Sequence, residues 1–375
     1  MAAIDSENLR VDALIGTPCP PVEATVAGFD DLGTLRARWA QLDAVPLLLE
    51  RPEDGCDHGF GGLGVRTLLR GEQSAGRFSV HSISLAPGAA LPRHYHLDAH
   101  CFVIVSDGEL ELAVGALAER MGKYGFGYVP PRTHCAIHNR SSAAATVTVV
   151  YSPAGADRAF AEAHEHGKLT GDGALASCLP ILERFGFRFD DAPLENDHKT
   201  NTAVPPIDLE IQAPGDLERL RREFIARPPA PRLTATPEAE FAATPTDVTF
   251  RKELLNGDVS GGTAMVNLLS GPASLGAPSH YQPTEEEFFF VMEGQLEVTC
   301  ASQTKVTTAG AVAFCPRNAT HGFRNASATE RTRFITLNSP AGHERAMASV
   351  RRAAQDGASR EQLHELSAVG GFIFH

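Results

Sequence analysis

The chain has 375 residues, 43% of them hydrophobic and 21% charged, which is enough for one large or two ordinary globular domains. Its formal net charge of −13 argues against a polyanionic partner, so we expect neither nucleic acid nor an acidic membrane surface as a ligand. The 7 cysteines include no CxxC pair, which predicts reduced thiols and a cytoplasmic location. Without a signal-peptide pattern or a long apolar run, we expect neither export nor a membrane span.

The predicted elements of the first half are mainly short strands. Residues 1–29 carry no usable pattern and are treated as an N-terminal extension. Asp31–Trp39 has apolar residues at helical spacing behind an acidic start, which predicts a helix. Asp107-Gly108 predicts a tight hairpin turn, and a helix is expected at Arg158–Glu165. Runs rich in Val, Ile, Phe and Thr predict strands at Arg77–Leu85, Cys101–Ser106, Glu109–Val114 and Ala145–Tyr151.

The second half of the chain repeats the first at an offset of about 186 residues. His94-Tyr95-His96 recurs as His280-Tyr281-Gln282, and a Ser-Pro-Ala-Gly segment beginning at Ser152 recurs from Ser339. Such self-similarity indicates two copies of one module, at 30–190 and 215–375, joined by a polar, proline-bearing linker at 191–214. Many short strands separated by turns favour a β-sandwich or jelly roll in each copy.

His94 and His96 form the first candidate metal site. They stand two residues apart in an extended stretch, so both imidazoles point to one face of the strand. Two imidazoles on one face can bind one metal ion.

These motifs resemble those of the cupin superfamily, and the duplication resembles a bicupin of the quercetin 2,3-dioxygenase-like kind. The first cupin motif is matched by Gly88, His94, His96 and Gly108, and in the second copy by His280, Glu287 and Gly294. The second motif is matched by Gly310, Pro316, His321 and Asn325, and in the first copy by Pro130, His134 and Asn139. The resemblance implies an all-β fold of tandem double-stranded β-helix (jelly-roll) cupin barrels with short flanking helices.

In the first copy the resemblance implies metal ligation by His94, His96 and His134. Cys101 stands where the family motif has glutamate, and His100 is its neighbour. Cys101 is expected to be a small buried hydrophobe or, alternatively, a reactive thiol, and His100 could supply a fourth ligand. Neighbouring strand residues face opposite sides, so the two cannot both point inward without a bulge.

In the second copy the resemblance implies a site made of His280, Glu287 and His321. These are the residue types of the two-histidine, one-carboxylate set of non-haem iron. Gln282 replaces the second histidine of the motif and is a weak ligand beside imidazole. Three readings stay open: an iron site, a weak metal site, and a purely structural role.

Our leading functional hypothesis is an Fe(II) dioxygenase that brings a small organic substrate and O2 together in the first barrel, and analogy with the family favours an aromatic substrate. Ni, Cu, Mn or Zn are alternative metals, and Tyr95 is expected to line the site. A metal-dependent isomerase, lyase or decarboxylase is the second hypothesis, and a non-enzymatic small-molecule-binding bicupin is the third. By analogy with bicupins we also expect a homo-oligomer.

Overall fold

The computed structural model describes residue 19 and residues 21–171, 174–198 and 204–374. These residues form two β-sandwich barrels, each made of two antiparallel sheets, which we call the first and the second barrel in chain order. The expected all-β fold, with tandem jelly-roll barrels and short flanking helices, is confirmed. The repeat in the sequence is therefore a repeat of the fold.

The first barrel packs a seven-stranded sheet against a five-stranded one. Along Glu109–Val114 the side chains alternate between buried apolar and partly exposed polar positions, as the sequence predicts for a strand with one face inside. In spatial order the seven strands are Arg232–Thr234, Phe126–Val129, His100–Asp107, Ala145–Ser152, Ser79–Leu85, Leu63–Leu69 and Cys56–Asp57. The five strands are Phe187–Arg188, Ala90–His96, Cys135–His138, Glu109–Val114 and Leu117–Gly122.

The second barrel packs a six-stranded sheet against a five-stranded one. The six strands, in spatial order, are Leu47–Leu49, Val312–Cys315, Glu286–Glu293, Thr332–Ser339, Met265–Gly271 and Phe250–Leu255. The five strands are Gln303–Thr307, Leu296–Cys300, His321–Asn325, Gly276–Tyr281 and Ile373–Phe374. Corresponding strands of the two barrels therefore occupy corresponding places.

The two halves of the chain exchange edge strands. Leu47–Leu49 belongs to the first half but pairs with Val312–Cys315 of the second barrel. Arg232–Thr234 belongs to the second half but pairs with Phe126–Val129 of the first barrel. Each barrel thus covers an exposed sheet edge with a strand from the other half. The domain ranges 30–190 and 215–375 remain predictions, and the sheets do not follow them strictly.

The helices flank the barrels and begin close to the predicted positions. The α-helices are Phe29–Trp39, Ala156–Thr170, Leu175–Arg184, Asp216–Ile225, Glu238–Ala243, Gly257–Ser260, His343–Gln355 and Arg360–Val369. Short 3-10 helices lie at Pro52–Asp54, Glu72–Ser74 and Glu195–His198. No helix within the described ranges is long and apolar enough to cross a membrane.

The predicted hairpin at Asp107-Gly108 is wrong. His100–Asp107 lies in the seven-stranded sheet and Glu109–Val114 lies in the five-stranded sheet, so the chain passes from one sheet to the other at this point. Gly108 has φ +71°, and a Cβ atom there would lie 2.7 Å from the carbonyl oxygen of Ala144. The glycine is required by this sheet-to-sheet corner and by the close backbone approach.

The two barrels pack together through the outward faces of their larger sheets. The ring of Phe78 in the first barrel lies 5.1 Å from that of Phe288 in the second. Glu286, which is fully buried, forms ion pairs with Arg77 of the first barrel at 2.6 Å and with Arg317 of the second at 2.8 Å. An apolar interface and a buried charge cluster therefore join the barrels.

Part of the predicted linker and part of the predicted N-terminal extension pack against the barrels. Ile207, Leu209 and Ile211 are buried in one cluster with the helix Asp216–Ile225. In the first half, Val26 takes a similar buried place before the helix Phe29–Trp39. Residues 1–18 and 20 of the predicted extension, and 199–203 of the predicted linker, lie outside the described residues. The boundaries 1–29 and 191–214 remain predictions.

Candidate active site

The strands of the two barrels pair in the same register, which defines matched positions. His94 pairs with Cys135 in the first barrel as His280 pairs with His321 in the second. Adding 186 to the number of each matched residue in the first barrel gives the residue at the same position in the second barrel. The matched sets are His94, His96, Cys101 and Cys135 in the first barrel, and His280, Gln282, Glu287 and His321 in the second.

In the second barrel the structure brings His280, Glu287 and His321 together. Their ligand atoms all lie within 4.8 Å of one another, and all three residues are buried. The Nε2 atom of His321 lies 3.0 Å from the Oε2 atom of Glu287, and the two imidazole rings are 4.4 Å apart. Two imidazoles and a carboxylate in this arrangement are suited to a divalent transition metal.

Backbone carbonyls fix the orientation of both imidazoles. The Nδ1 atom of His280 lies 2.9 Å from the carbonyl oxygen of Pro278, and that of His321 lies 2.8 Å from the carbonyl oxygen of Ala319. A carbonyl oxygen can only accept, so Nδ1 must carry the proton in each ring. In the neutral ring this leaves the Nε2 lone pair as the metal donor, and metal-binding histidines are commonly held by such a bond.

Two further observations indicate that the cluster fits a cation. Burial alone would raise the pKa of Glu287, but the close contact with His321 and the electrostatic effect of the neighbouring histidines lower that pKa below its usual value. The Oε1 atom of Gln282, at the position of the missing histidine, is buried and has no hydrogen-bond partner among the described residues. An ionised carboxylate and an unsatisfied amide oxygen both favour a positive ion.

The cluster in the second barrel opens into a cavity of about 270 Å³. His280 and Glu287 lie in its wall, and apolar side chains such as Phe323, Met347 and Phe372 form much of the remainder. This volume lies near the lower end of the roughly 300–1,000 Å³ that small-molecule sites span. The cavity is therefore suited to a small organic molecule.

Three of the four polar groups in this cavity have apolar counterparts in the first barrel. The lining of the cavity includes Arg251, Asn267, Thr336 and His343. Strand register and the repeat offset match these residues to Val65, His81, Val149 and Ala156 of the first barrel. Among these four, His81 alone carries a hydrogen-bonding side chain, and it bonds Thr67 and Ser79. At these matched positions the second barrel therefore offers more polar groups to a ligand.

Arg251 places positive charge at this cavity. It lines the cavity, and its Nε donates to the Oδ1 atom of Asn267 at 3.2 Å. Loss of hydration and the like charge of Arg351 lower the pKa of Arg251 from its usual value, although Glu253, Glu344 and Glu287 act in the opposite direction. Among the described residues, Arg251 forms no ion pair within 4.0 Å. An arginine in this situation can bind an anion.

His343 is the residue at this site that the sequence analysis missed. It follows the second Ser-Pro-Ala-Gly segment, where the first copy has Ala156, and this difference between the copies was the available signal. Its Nδ1 atom lies 3.4 Å from the Nε2 of Gln282, and its ring lies 4.2 Å from that of Phe372 at a tilted angle. Burial lowers the pKa of His343 to about 3, so the imidazole is neutral near pH 7.

In the first barrel the structure brings His94 and His96 together with Cys135. The ligand atoms of the three lie within 4.8 Å of one another, and all three residues are buried. The Sγ of Cys135 lies 3.5 Å from the Nε2 of His94, while the Nδ1 of His94 lies 2.7 Å from the carbonyl oxygen of Pro92. The two histidines share one face of the strand, as their spacing indicates.

The structure does not place His134 with His94 and His96, and Cys135 takes the position expected for it. The Nδ1 atom of His134 lies 2.6 Å from Asp197 Oδ2, and its Nε2 atom lies 2.9 Å from the carbonyl oxygen of Asp190. Adjacent strand residues face opposite sides, so pairing of Cys135 with His94 turns His134 to the outer side. The sequence contained a signal for this correction, because the 186-residue offset of the repeat matches His321 to Cys135 and not to His134.

His100 and Tyr95 also lie away from the first-barrel cluster. Nδ1 of His100 is 2.8 Å from the hydroxyl of Tyr128 in the layer between the barrels, whereas the neighbouring Cys101 is buried inside the first barrel. Tyr95 donates its hydroxyl to Asp190 at 3.3 Å and does not line the interior. His100 is therefore not positioned as a fourth ligand, and Cys101 occupies the place that Glu287 has in the second barrel.

Comparisons with known proteins agree with this architecture. The family model "Cupin domain" matches residues 270–338, a range that includes His280, Glu287 and His321. A search of curated proteins found no match. Procruciferin, the 11S globulin from Brassica napus, is similar in structure at a TM-score of 0.50 and 9% identity, over 88% of this chain and 95% of that chain.

Two further solved structures are similar over most of this chain. Oxalate decarboxylase from Lactobacillus farciminis has a TM-score of 0.48 at 13% identity, with 86% of this chain and 97% of that chain covered. The protein Ylba from E. coli has a TM-score of 0.49 at 12% identity, with 81% and 96% covered. Identities this low indicate nothing about substrate or reaction. By its fold and its domain match, the chain is a tandem of two barrels with the cupin fold.

Proposed function

We propose that this protein is a metal-dependent enzyme that acts on a small organic anion in the second barrel. The proposal rests on one observation: the buried group of His280, Glu287 and His321 opens into a cavity of about 270 Å³. Catalytic metal sites keep positions open for substrate, whereas structural sites are closed by protein ligands. On this basis we propose the second barrel as the site of activity, although the sequence analysis favoured the first.

Fe(II) is the metal we propose, with O2 as the second substrate. Two imidazoles and one carboxylate form the donor set of non-haem Fe(II) oxygenases, while Ni, Cu, Mn and Zn remain alternatives. The bound ion would supply the redox chemistry that couples O2 to the organic substrate. His280, Glu287 and His321 would hold it. The Oε1 atom of Gln282, which has no hydrogen-bond partner among the residues that the structure describes, would face the same centre.

The substrate class follows from the charges at the cavity. Arg251 lines the cavity and forms no ion pair within the described part of the chain, so it favours a carboxylate or another small anion. Asn267 accepts from Arg251 and thereby holds the guanidinium in place. The apolar wall would receive the hydrocarbon part of the substrate and exclude water from it. An aromatic carboxylate combines these features.

His343 is placed to contact the substrate as a neutral imidazole. It lines the cavity, and its Nδ1 accepts from Gln282, so the ring proton lies on Nε2. An N–H donor in an apolar cavity can hydrogen-bond a substrate oxygen and orient it. Because Ala156 stands at this position in the first barrel, His343 supports the assignment of activity to the second.

Anaerobic loading with Fe(II) followed by oxygen-uptake measurements tests the proposal. We expect iron-dependent uptake with members of a panel of hydroxylated aromatic carboxylates, and loss of this uptake in Glu287→Gln. Glu218→Gln, which changes an exposed glutamate on a helix, is the matched control and should keep full activity. Full uptake in Glu287→Gln would contradict the assignment to the second barrel.

Assaying the same iron-loaded protein with and without O2 distinguishes an oxygenase from an enzyme that uses no redox chemistry. An isomerase, lyase or decarboxylase would use the ion as a Lewis acid and would turn over without O2. Product formation under strict anaerobiosis would therefore replace the dioxygenase proposal while keeping the site. Metal-independent ligand binding, with no turnover in either gas, would favour the non-enzymatic binding protein.

A further inference from the structure

The first barrel has a cluster of donors that the proposed activity does not use. At the four matched positions it carries two histidines and two cysteines, where the second barrel carries two histidines, a glutamate and a glutamine. The ligand atoms of His94, His96 and Cys135 lie within 4.8 Å of one another. Cys101 is buried on the neighbouring strand, at the position that Glu287 takes in the second barrel. The cluster thus combines nitrogen and sulfur donors.

Independent evidence for a missing ligand comes from His96. The His96 side chain is only 2% exposed, and its Nε2 atom has no hydrogen-bond partner among the residues described here. A buried imidazole nitrogen without a partner is costly unless something binds it. The carbonyl oxygen of Pro92 also fixes the Nδ1 proton of His94, leaving the Nε2 of His94 as a donor beside Cys135.

The surroundings of the cluster are closed and apolar. The ring of Phe187 packs 4.5 Å from His96 and 5.8 Å from His94, and the ring of Tyr151 lies 5.1 Å from His96. Val65, Val149 and Ala156 stand where the second barrel has the polar groups of its cavity. A cation held here would be enclosed by protein, as in structural metal sites.

We propose that the first barrel binds a thiophilic cation, Zn²⁺, as a structural site held by His94, His96 and Cys135, with Cys101 as the fourth ligand. Mixed imidazole and thiolate donors suit Zn²⁺, and a set of two cysteines and two histidines is typical of closed zinc sites. The site lacks the carboxylate that makes the second barrel suitable for iron. On binding, each thiol forms a sulfur–zinc bond and releases its proton to solvent. The two barrels would then hold different metals.

Cobalt(II) substitution of the full-length protein tests this proposal, because a thiolate bound to cobalt gives a charge-transfer absorption in the near ultraviolet. We expect this absorption to appear on loading, to be displaced by Zn²⁺, and to disappear in Cys135→Ser. Cys178→Ser, which changes a buried cysteine outside the cluster, and Glu287→Gln in the second barrel should both retain it.

A second variant keeps the test decisive if Cys135→Ser fails to fold. His96→Gln introduces the residue that the matched position of the second barrel already accommodates. It should fold, retain the thiolate absorption and bind Zn²⁺ at least tenfold more weakly. A cobalt-loaded protein without thiolate absorption would overturn the proposal, as would an absorption that persists in folded Cys135→Ser or an unchanged Zn²⁺ affinity in His96→Gln. These results are independent of activity in the second barrel.

Discussion

Replacing Arg251 by glutamine tests whether the cavity of the second barrel recognises an anion. Arg251 lines this cavity on the strand Phe250–Leu255, and its Nε donates to Asn267. Glutamine keeps a polar side chain but removes the positive charge. We expect Arg251→Gln to weaken the binding of benzoate, used as a probe, and to leave the binding of neutral benzamide unchanged.

The size of the effect follows from the position of Arg251 at an exposed edge of the cavity. A hydrogen bond to a charged group contributes about 1.5–3 kcal/mol when it is buried, whereas an exposed ion pair contributes about 0.2–1 kcal/mol. A side chain between these limits should contribute about 1.4 kcal/mol, which corresponds to roughly a tenfold change in the dissociation constant. The like charge of Arg351 should make the effect larger at low salt than at high salt.

Isothermal titration of the metal-loaded protein with benzoate and with benzamide measures this effect. Arg120→Gln, which changes an exposed arginine in the first barrel, is the matched control and should bind both probes like the wild type. Metal content must be equal in all variants, so that a carboxylate bound directly to the metal contributes equally. Equal benzoate affinity in Arg251→Gln and the wild type would refute the assignment of an anion site to this arginine.

Three further predictions concern the metal, the interface and acid stability. Glu287→Gln should lower metal affinity in the second barrel at least tenfold, measured as iron per chain after dialysis, because it removes an ionised ligand. Glu286→Gln should lower the free energy of unfolding by about 3 kcal/mol in urea titrations, because it leaves Arg77 and Arg317 facing each other; an unchanged value would show that these pairs are screened. Burial lowers the pKa of His81 from 6.5 to about 3 in the folded protein. Between these two pH values the unfolded chain is protonated at His81 and the folded protein is not, so the wild type loses stability as pH falls below 6.5. His81→Gln should remove about 2 kcal/mol of that loss between roughly pH 6.5 and 5; equal acid sensitivity would argue against a neutral His81.

Much of the fold was predictable from local patterns. The alternating burial along Glu109–Val114 follows the two-residue period of a strand, and the apolar spacing of Asp31–Trp39 follows the 3.6-residue period of a helix. Both periods can be recognised in the local sequence without knowledge of the tertiary structure. The hairpin at Asp107-Gly108 was not predictable in this way, because a glycine corner between two sheets has the same local signature as a two-residue turn.

The metal-ligand positions were also predictable only in part from the sequence. The sequence determined that His94 and His96 share a face, and that His280, Glu287 and His321 are ligand types in motif register. It did not decide between His134 and Cys135, because the inward face of a strand is set by pairing with a partner strand. A difference of one residue in strand register replaces His134 by Cys135 in the cluster, and the proposed metal of the first barrel changes from iron to zinc.

The sequence by itself determined the duplication, the two barrels and the donor residues, because repeats and strand periodicity are local properties of the chain. Only the tertiary structure showed that the metal-ligand cluster of the second barrel opens into a cavity. Arg251, Asn267 and His343 lie on three separate elements and meet only when the second barrel closes. No local pattern in the chain predicts that these three side chains line one cavity, because their meeting depends on how the sheets and the helix pack together.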